Sequence, residues 1–170
     1  MRIATTPELG VNHILPALST WMSAHDDLSI TYFADNNYID MIDERIDIAI
    51  RMSPNINDST VSNHPLSDVR QMLVASPQYL RQHKKIETPK DLADHHLICI
   101  DIMKDTNNVE LTQTETGKKT RIKMTSRIHT NNVFMAMTIA KEGHGILRMM
   151  EMDVKKELES GNLVEVLTGY

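Results

Sequence analysis

The stretch LVASPQYL at 73–80 limits the possible folds of this chain more than any other. An apolar run rich in β-branched and aliphatic residues ends at Ser76, and Pro77 follows at once. Proline has no backbone N–H and a fixed φ, so it suits the first turn of a helix, where Ser76 can cap the free donors. The same device recurs at 88–98 in TPKDLADHHLI: Thr88 and Pro89 open a second short helix, which feeds an apolar strand at 97–101. Strands that end directly in capped helices belong to layered α/β architecture.

The first 52 residues repeat this logic. A strand is expected at 2–5, and a helix from 11 to 22, where Val11, Ile14, Leu15, Leu18, Trp21 and Met22 recur at helical spacing. Pro16 fits that helix only near its first turn. A strand at 28–33, a helix capped by Asn36 or Asn37 and running to Glu44, and a strand at 47–52 complete the set. Strand, helix, strand, helix, strand in this order implies a parallel sheet with crossover helices.

Residues 53–59, SPNINDS, form a turn-rich loop by composition, and 61–76 is extended, with Pro65 marking a break between lobes. Helices at 77–83 and 89–94 precede a hairpin of 109–114 with 119–125, in which Gly117 supplies a positive φ. Asn131 or Asn132 caps a helix to Glu142 with Val133, Met137 and Ala140 on its apolar face. The Gly143-His144-Gly145 turn, a strand at 146–149, a helix at 153–160 stopped by Gly161 and a strand at 163–167 close the chain.

Composition narrows the function. With 170 residues and 41% apolar content the chain can bury a sizeable core. Its 12 methionines are read mainly as packing. The net charge is −5 and the basic residues are scattered or in pairs such as Lys84-Lys85 and Lys118-Lys119, so this segment lacks the clustered cationic face of a duplex binder. The single cysteine, Cys99, excludes an internal disulfide, and its setting in LICI marks it as a buried strand thiol. No apolar run approaches the roughly 18 residues of a membrane span, and MRIATTPELG has no signal-peptide core, so a cytoplasmic location is expected. The abrupt start, one residue before a strand, reads as that of a fragment with Met1 added.

Catalytic patterns are weak. Ser76 lies in ASPQ and not in a nucleophile elbow, His95 and His96 are adjacent and cannot both face one site from a strand, and neither HExxH nor CxxC occurs. Asp40, Asp43, Glu44 and Asp47, interleaved with Arg45 and Arg51, read as a solvated helix face, and His144 as a turn residue. No enzyme activity, cofactor or metal is expected.

Taken in order, ATTP with HILPALSTWM, DMIDERIDIAIRM, SDVRQMLVASPQYL, RIHTNNVFMAMTIAKEGHGI and LESGNLVEVL resemble the effector-binding domain of LysR-type transcriptional regulators across nearly the whole chain. The resemblance implies an α/β, two-lobed, type 2 periplasmic-binding-protein-like fold with two crossover segments and a small-molecule effector in the cleft. The first lobe would be 1–67 plus 164–170, and the second 68–163. It also implies a winged helix-turn-helix outside this stretch as the only DNA contact, and a further strand and helix completing the first lobe. A homodimer or tetramer would form through the helices at 11–22 and 37–44. Two positions depart from the family. Arg45 replaces a usual glycine, which suggests a helix end that needs no left-handed residue, and Arg148 stands in a run that is typically aliphatic.

In open α/β sheets ligands sit beyond the C-terminal strand ends, where helix N-termini present free N–H groups. This selects Thr5, Thr6, Pro7 and Glu8, then Asp35, Asn36 and Asn37, from the first lobe. From the second lobe it selects Ser76, Asp101, Thr130, Asn131 and Asn132. Arg148 joins them as a cation that could pair with an acidic ligand. Thr6, Asn36 and Asn131 lead the set, although Ser76, Asn36 and Asn131 would also serve as caps in a domain that bound nothing. The expected effector is a small carboxylate or amino acid; Glu8 disfavours a dianion or binds an amino group if it faces the cleft, and says nothing if it faces solvent. A free-standing solute-binding protein and a metabolic enzyme of the same fold are the competing readings.

Overall fold

The computed structural model describes residues 1–37, 39–52, 62–100 and 107–170. They fall into two compact units, Met1–Ser67 and Asp68–Tyr170. The expected loop at 53–59 lies outside the described residues.

The first unit is built on a parallel sheet in which β1 (Arg2–Thr5) lies between β2 (Thr31–Ala34) and β3 (Ile48–Ile50). The central strand is the buried one, Ile3, Ala4 and Thr5 all being enclosed, as a parallel strand covered on both faces must be. The crossover to β2 is one helical run. It begins at α1 (Pro7–Leu9), widens into a π-helical turn over Gly10–Ile14 and continues as α2 (Leu15–Ser23). It therefore starts four residues earlier than the periodicity suggested, at a cap the sequence shows plainly: the Leu9 N–H donates to Thr6 Oγ1 at 3.4 Å and Pro7 takes the first helical position. Pro16 consequently lies well inside the run. A proline removes one donor and crowds the carbonyl four residues back, and the widened turn immediately before it is where the ladder absorbs this.

The helix expected at 37–44 is not formed among the described residues. Instead 41–45 is a series of hydrogen-bonded turns. The Asp40 carboxylate accepts from the backbone N–H groups of Ile42 and Asp43 at 2.9 and 3.0 Å, competing locally with a helical ladder. The acidic cluster is thus exposed on a turn, where Asp47 accepts from the Arg2 N–H and Glu44 pairs with the Arg2 side chain. Arg45 has φ +50°, so the departure from glycine does not signal a relaxed backbone; the left-handed conformation is retained by a residue with a Cβ.

The second unit has a five-stranded sheet in the order β10-β4-β9-β5-β8, with β4 (Gln71–Ala75), β5 (His96–Ile100), β8 (Thr125–Thr130), β9 (Ile146–Met150) and β10 (Val164–Val166). The expected hairpin is β6 (Asn108–Thr112) with β7 (Lys119–Lys123), and Gly117 at its turn has φ +68°. Strands β5, β8 and β9 run parallel, whereas β4 runs antiparallel to both β9 and β10. Two expectations are corrected here. Residues 164–170 do not return to the first unit, because Val164–Val166 pairs with Ala75, Val74 and Leu73. Strand β8 was not anticipated, since TSRIHT alternates between exposed and half-buried positions and shows no apolar run.

Helices cover both faces of this sheet, which explains the unbroken apolar run at 72–75. Met72 and Val74 face α4 (Val133–Lys141) and α5 (Glu151–Glu159) in one core, with Leu147, Met149 and Leu163. Leu73 and Ala75 face the other core, with α3 (Pro77–Gln82), the 3-10 helix Pro89–Asp94 and the hairpin. Asp91 secures the 3-10 helix by accepting from the Thr88 N–H at 2.7 Å, its hydroxyl at 3.0 Å and the Glu87 N–H at 3.0 Å. Cys99 is buried on β5 as expected, with its Sγ 3.4 Å from Asn107 Oδ1. Gly145 approaches β5 so closely that a Cβ there would stand 2.8 Å from the His96 carbonyl oxygen.

Tyr79 and His95 are buried together in the second core. The Tyr79 hydroxyl meets His95 Nδ1 at 3.2 Å and accepts from the His96 N–H at 3.2 Å, while His83 stacks on the Tyr79 ring. Burial lowers the His95 pKa first and the neighbouring His83 lowers it further; Asp94 and Asp91 oppose the shift. The folded state thus resists protonating His95 in a range where the unfolded chain, near the ordinary histidine value of about 6.5, already takes up the proton. This contribution to stability is fully present above that pH and is lost as pH falls through the window below it.

Three outcomes are expected of the full-length protein. Thermal melts between pH 7 and 5 should show stability falling with pH, with a shallower slope in His95→Phe. Arg45→Gly should stabilise by up to about 1.5 kcal/mol, relieving about 1–2 kcal/mol of left-handed strain against about 0.5–1 kcal/mol of glycine entropy. Gly145→Ala should cost about 1–3 kcal/mol through overpacking against β5, read as a lowered denaturant midpoint.

Candidate functional site

Because β1, β2 and β3 are parallel and in register at Thr5, Ala34 and Ile50, all three chains leave the sheet at one edge. Thr6, Pro7 and Glu8 follow β1; Asp35, Asn36 and Asn37 follow β2; Arg51 follows β3. Backbone bonds tie these exits together. The Asp35 N–H donates to the Thr5 carbonyl at 3.0 Å, and Arg51 Nη1 donates to the Asp35 carbonyl at 2.8 Å. The Asn37 N–H is held by Asp35 Oδ1 at 2.8 Å. Thr5 is buried and its hydroxyl donates to the Thr6 carbonyl at 3.2 Å, so it shapes the edge from beneath. Thr6 is half-buried; its oxygen accepts the capping bond from Leu9 while its proton can serve another acceptor. Glu8 is only 4% exposed, and its Oε1 meets no donor among the described residues.

Arg51 is the member that sequence reasoning missed. The rule that selected Thr6 and Asn36 also selects the first residue after DIAI, but the carboxylates before it made Arg51 look like part of a surface network. The structure places its guanidinium at the strand-end edge, half-buried and anchored to the carbonyl that follows β2. A guanidinium presents its N–H donors in the planar geometry that suits a carboxylate.

In the second unit the parallel strand ends bring Thr130, Asn131 and Asn132 together after β8. Thr130 Oγ1 accepts from the Asn132 N–H at 3.1 Å, and Asn132 Oδ1 caps α4 by accepting from the Met135 N–H at 2.9 Å. The cap is therefore Asn132, and Asn131 is the exposed residue of the pair. Asp101 lies outside the described residues.

Ser76 does not join this group. It follows β4, which runs antiparallel to β9, so it leaves the sheet at the edge opposite Thr130. Its Oγ is buried and caps α3 by accepting from the Tyr79 N–H at 3.2 Å. Arg148 also lies away from the strand ends, opposite Leu73 within β9. It lines a cavity of about 380 Å³ in the second unit together with Arg70, Leu73, Leu111, Val166 and Tyr170. His144 is an exposed turn residue, as expected. Among the described residues no group of three or more His, Cys, Asp or Glu could hold a metal ion.

The model of the LysR substrate binding domain matches residues 1–170. The HTH-type transcriptional activator TtdR of Escherichia coli K12 is 29% identical over 171 residues, covering all of this chain and 54% of TtdR. An uncharacterized HTH-type transcriptional regulator of Haemophilus influenzae is 29% identical over 169 residues, covering 99% and 57%. The chain thus spans about half the length of the curated relatives it matches, and these relatives carry the names of regulators, not of enzymes. The full-length Vibrio cholerae virulence activator AphB has a TM-score of 0.84 at 25% identity, over 99% of this chain and 56% of AphB. The regulatory domain of AphB from Vibrio vulnificus, at 24% identity and a TM-score of 0.82, covers 99% and 83% and shares the fold. The α/β architecture is that of LysR regulatory domains, whose fold is periplasmic-binding-protein-like, and the chain belongs to the LysR substrate-binding domain family.

Proposed function

We propose that this chain is the effector-sensing domain of a LysR-type transcriptional regulator, without enzymatic activity. The observation that carries the reading is the edge of the first unit, where Thr6, Asn36 and Arg51 sit beyond three parallel strand ends in a fold of this family. Such an edge binds small polar ligands because backbone exits and helix N-termini present donors there. The anchored guanidinium favours a ligand with a carboxylate. Thr130, Asn131 and Asn132 form a corresponding set on the second unit, and Arg148 remains a second candidate for an acidic group.

In the whole regulator the effector would act by population shift, binding one arrangement of the domain more tightly than another. DNA would be read by a helix-turn-helix domain outside this sequence. A homodimer or tetramer would use the first lobe: α2 buries none of its residues and leaves Trp21 exposed, with Val11 exposed in the π turn before it. A cytoplasmic site of action fits such a regulator. Among the described residues no helix is long and apolar enough to cross a membrane. The regulator names of the relatives favour this reading over a free-standing solute-binding protein.

A thermal-shift screen of small carboxylates, amino acids and aromatic acids on the full-length regulator tests the proposal. A true effector at 100 times its Kd should stabilise by about 2.7 kcal/mol. Arg51→Gln should weaken that effector by about 1.5–3 kcal/mol, the worth of a hydrogen bond to a charged group. If no compound raises the melting temperature, and Thr6→Ala and Asn131→Ala variants regulate normally, the effector reading is wrong.

A further inference from the structure

We propose that Arg70 is a positioning residue: its side chain fastens the connection between the two units to the sheet of the second, and so sets how freely that connection moves. The use of this fastening in sensing rests on the effector reading above; the fastening itself does not.

The chain passes from the first unit to the second between Ser67 and Asp68. The described residues leading into β4, 62–70, are exposed and form neither helix nor strand. Arg70 is the last of them, and β4 is the strand between β10 and β9. Its guanidinium engages both neighbours. Nη2 donates to the carboxylate of Glu165 on β10, and Nη1 lies 4.0 Å from that of Glu151, the residue that follows β9. The Arg70 carbonyl accepts from the Glu151 N–H at 2.9 Å, so backbone and side chain hold the same point. Nη2 also stands 3.4 Å from the backbone oxygen of Tyr170.

A surface salt bridge by itself contributes little. This one differs in its setting. The Glu165 side chain is only 20% exposed, so salt screens the pair less than a fully exposed one. One planar guanidinium reaches three partners, on the strands either side of β4 and on the turn after β10. That turn is strained: Leu167, with φ +58°, lies in the left-handed region, and Gly169 follows at +101°. A left-handed residue with a Cβ persists where its surroundings hold it. The holding contacts include Arg70 on Tyr170 and the Thr114 N–H on the Gly169 carbonyl at 2.8 Å. The entry to β4, the strand β10 and the turn after it are thus fastened at one side chain. An effector that shifts the arrangement of the domain must move residues in connecting segments or at element ends, and Arg70 occupies such a place.

Distances between spin labels at Asp26→Cys and Lys155→Cys, one exposed position in each unit, test this in full-length protein diluted with unlabelled subunits. Cys99 is buried, and Cys99→Ser removes it as a third labelling site. Arg70→Gln should broaden the distance distribution about twofold, as expected where a local restraint is lost. It should also speed exchange of the Glu151 and Tyr170 amides by about tenfold, the worth of one partly exposed hydrogen bond to a charged group, while the Val74 and Leu147 amides keep their protection. Glu165→Gln should act in the same direction, and the double variant should exceed Arg70→Gln by little, because the two share one contact. Arg70→Lys, which keeps the charge without the planar fork, should recover part of the narrow distribution. An unchanged width, or full additivity of the two variants, overturns the proposal. So does a loss of protection spread evenly over the second unit, which would make Arg70 a residue of stability alone. No effector enters these measurements, so their failure leaves the effector reading standing, whereas failure of the ligand screen overturns only the use of the fastening in sensing.

Discussion

Parallel pairing of β2 and β3 with β1 is the constraint on which the functional argument depends. Parallel strands in register must end together, so Thr5, Ala34 and Ile50 deliver their following residues to one edge. That register brings residues 6, 36 and 51 into one neighbourhood. The bonds from Asp35 to the Thr5 carbonyl and from Arg51 to the Asp35 carbonyl then hold the edge as a unit. A guanidinium anchored before a ligand arrives loses less freedom on binding, which is the general advantage of a preorganised site.

Strand direction also decides what the second unit contributes. The sheet mixes three parallel strands with an antiparallel β4, and that single reversal separates Ser76 from Thr130 and Asn132. A Ser-Pro helix entry has the same sequence at either edge of a sheet. Its residues report the cap correctly, and the Tyr79 N–H is indeed held, but they do not encode which way the strand runs. The assignment of 164–170 failed for a related reason: VEV can pair with any open strand edge, and the partner it finds is β4.

Elsewhere the legibility of the sequence follows the strength of the local signal. The Pro-opened helices at 77 and 89, the Gly117 hairpin and the buried Cys99 were readable because each rests on a short-range rule with few alternatives. The helix expected at 37–44 was not, because Asp40 can bond its own following N–H groups, and an apolar spacing cannot reveal that competition. Arg45 shows the limit of reading a backbone from residue type: an arginine holds a left-handed φ that glycine would adopt freely. The π turn before Pro16 likewise has no simple sequence mark, being the adjustment of a long helix to a proline in its interior. For the candidate edge, Thr6 and Asn36 were selected by position, whereas Arg51 was masked by its acidic neighbours.

The most direct test of the account is hydrogen–deuterium exchange on the full-length regulator with and without a compound that stabilises it. The account predicts slowed exchange at the amides of 5, 6, 8, 9, 35–37 and 51, the exits of the three parallel strands. Protection confined to the residues around Arg70 and Arg148, with the first-unit exits unchanged, would contradict it and move the effector to the second-unit cavity.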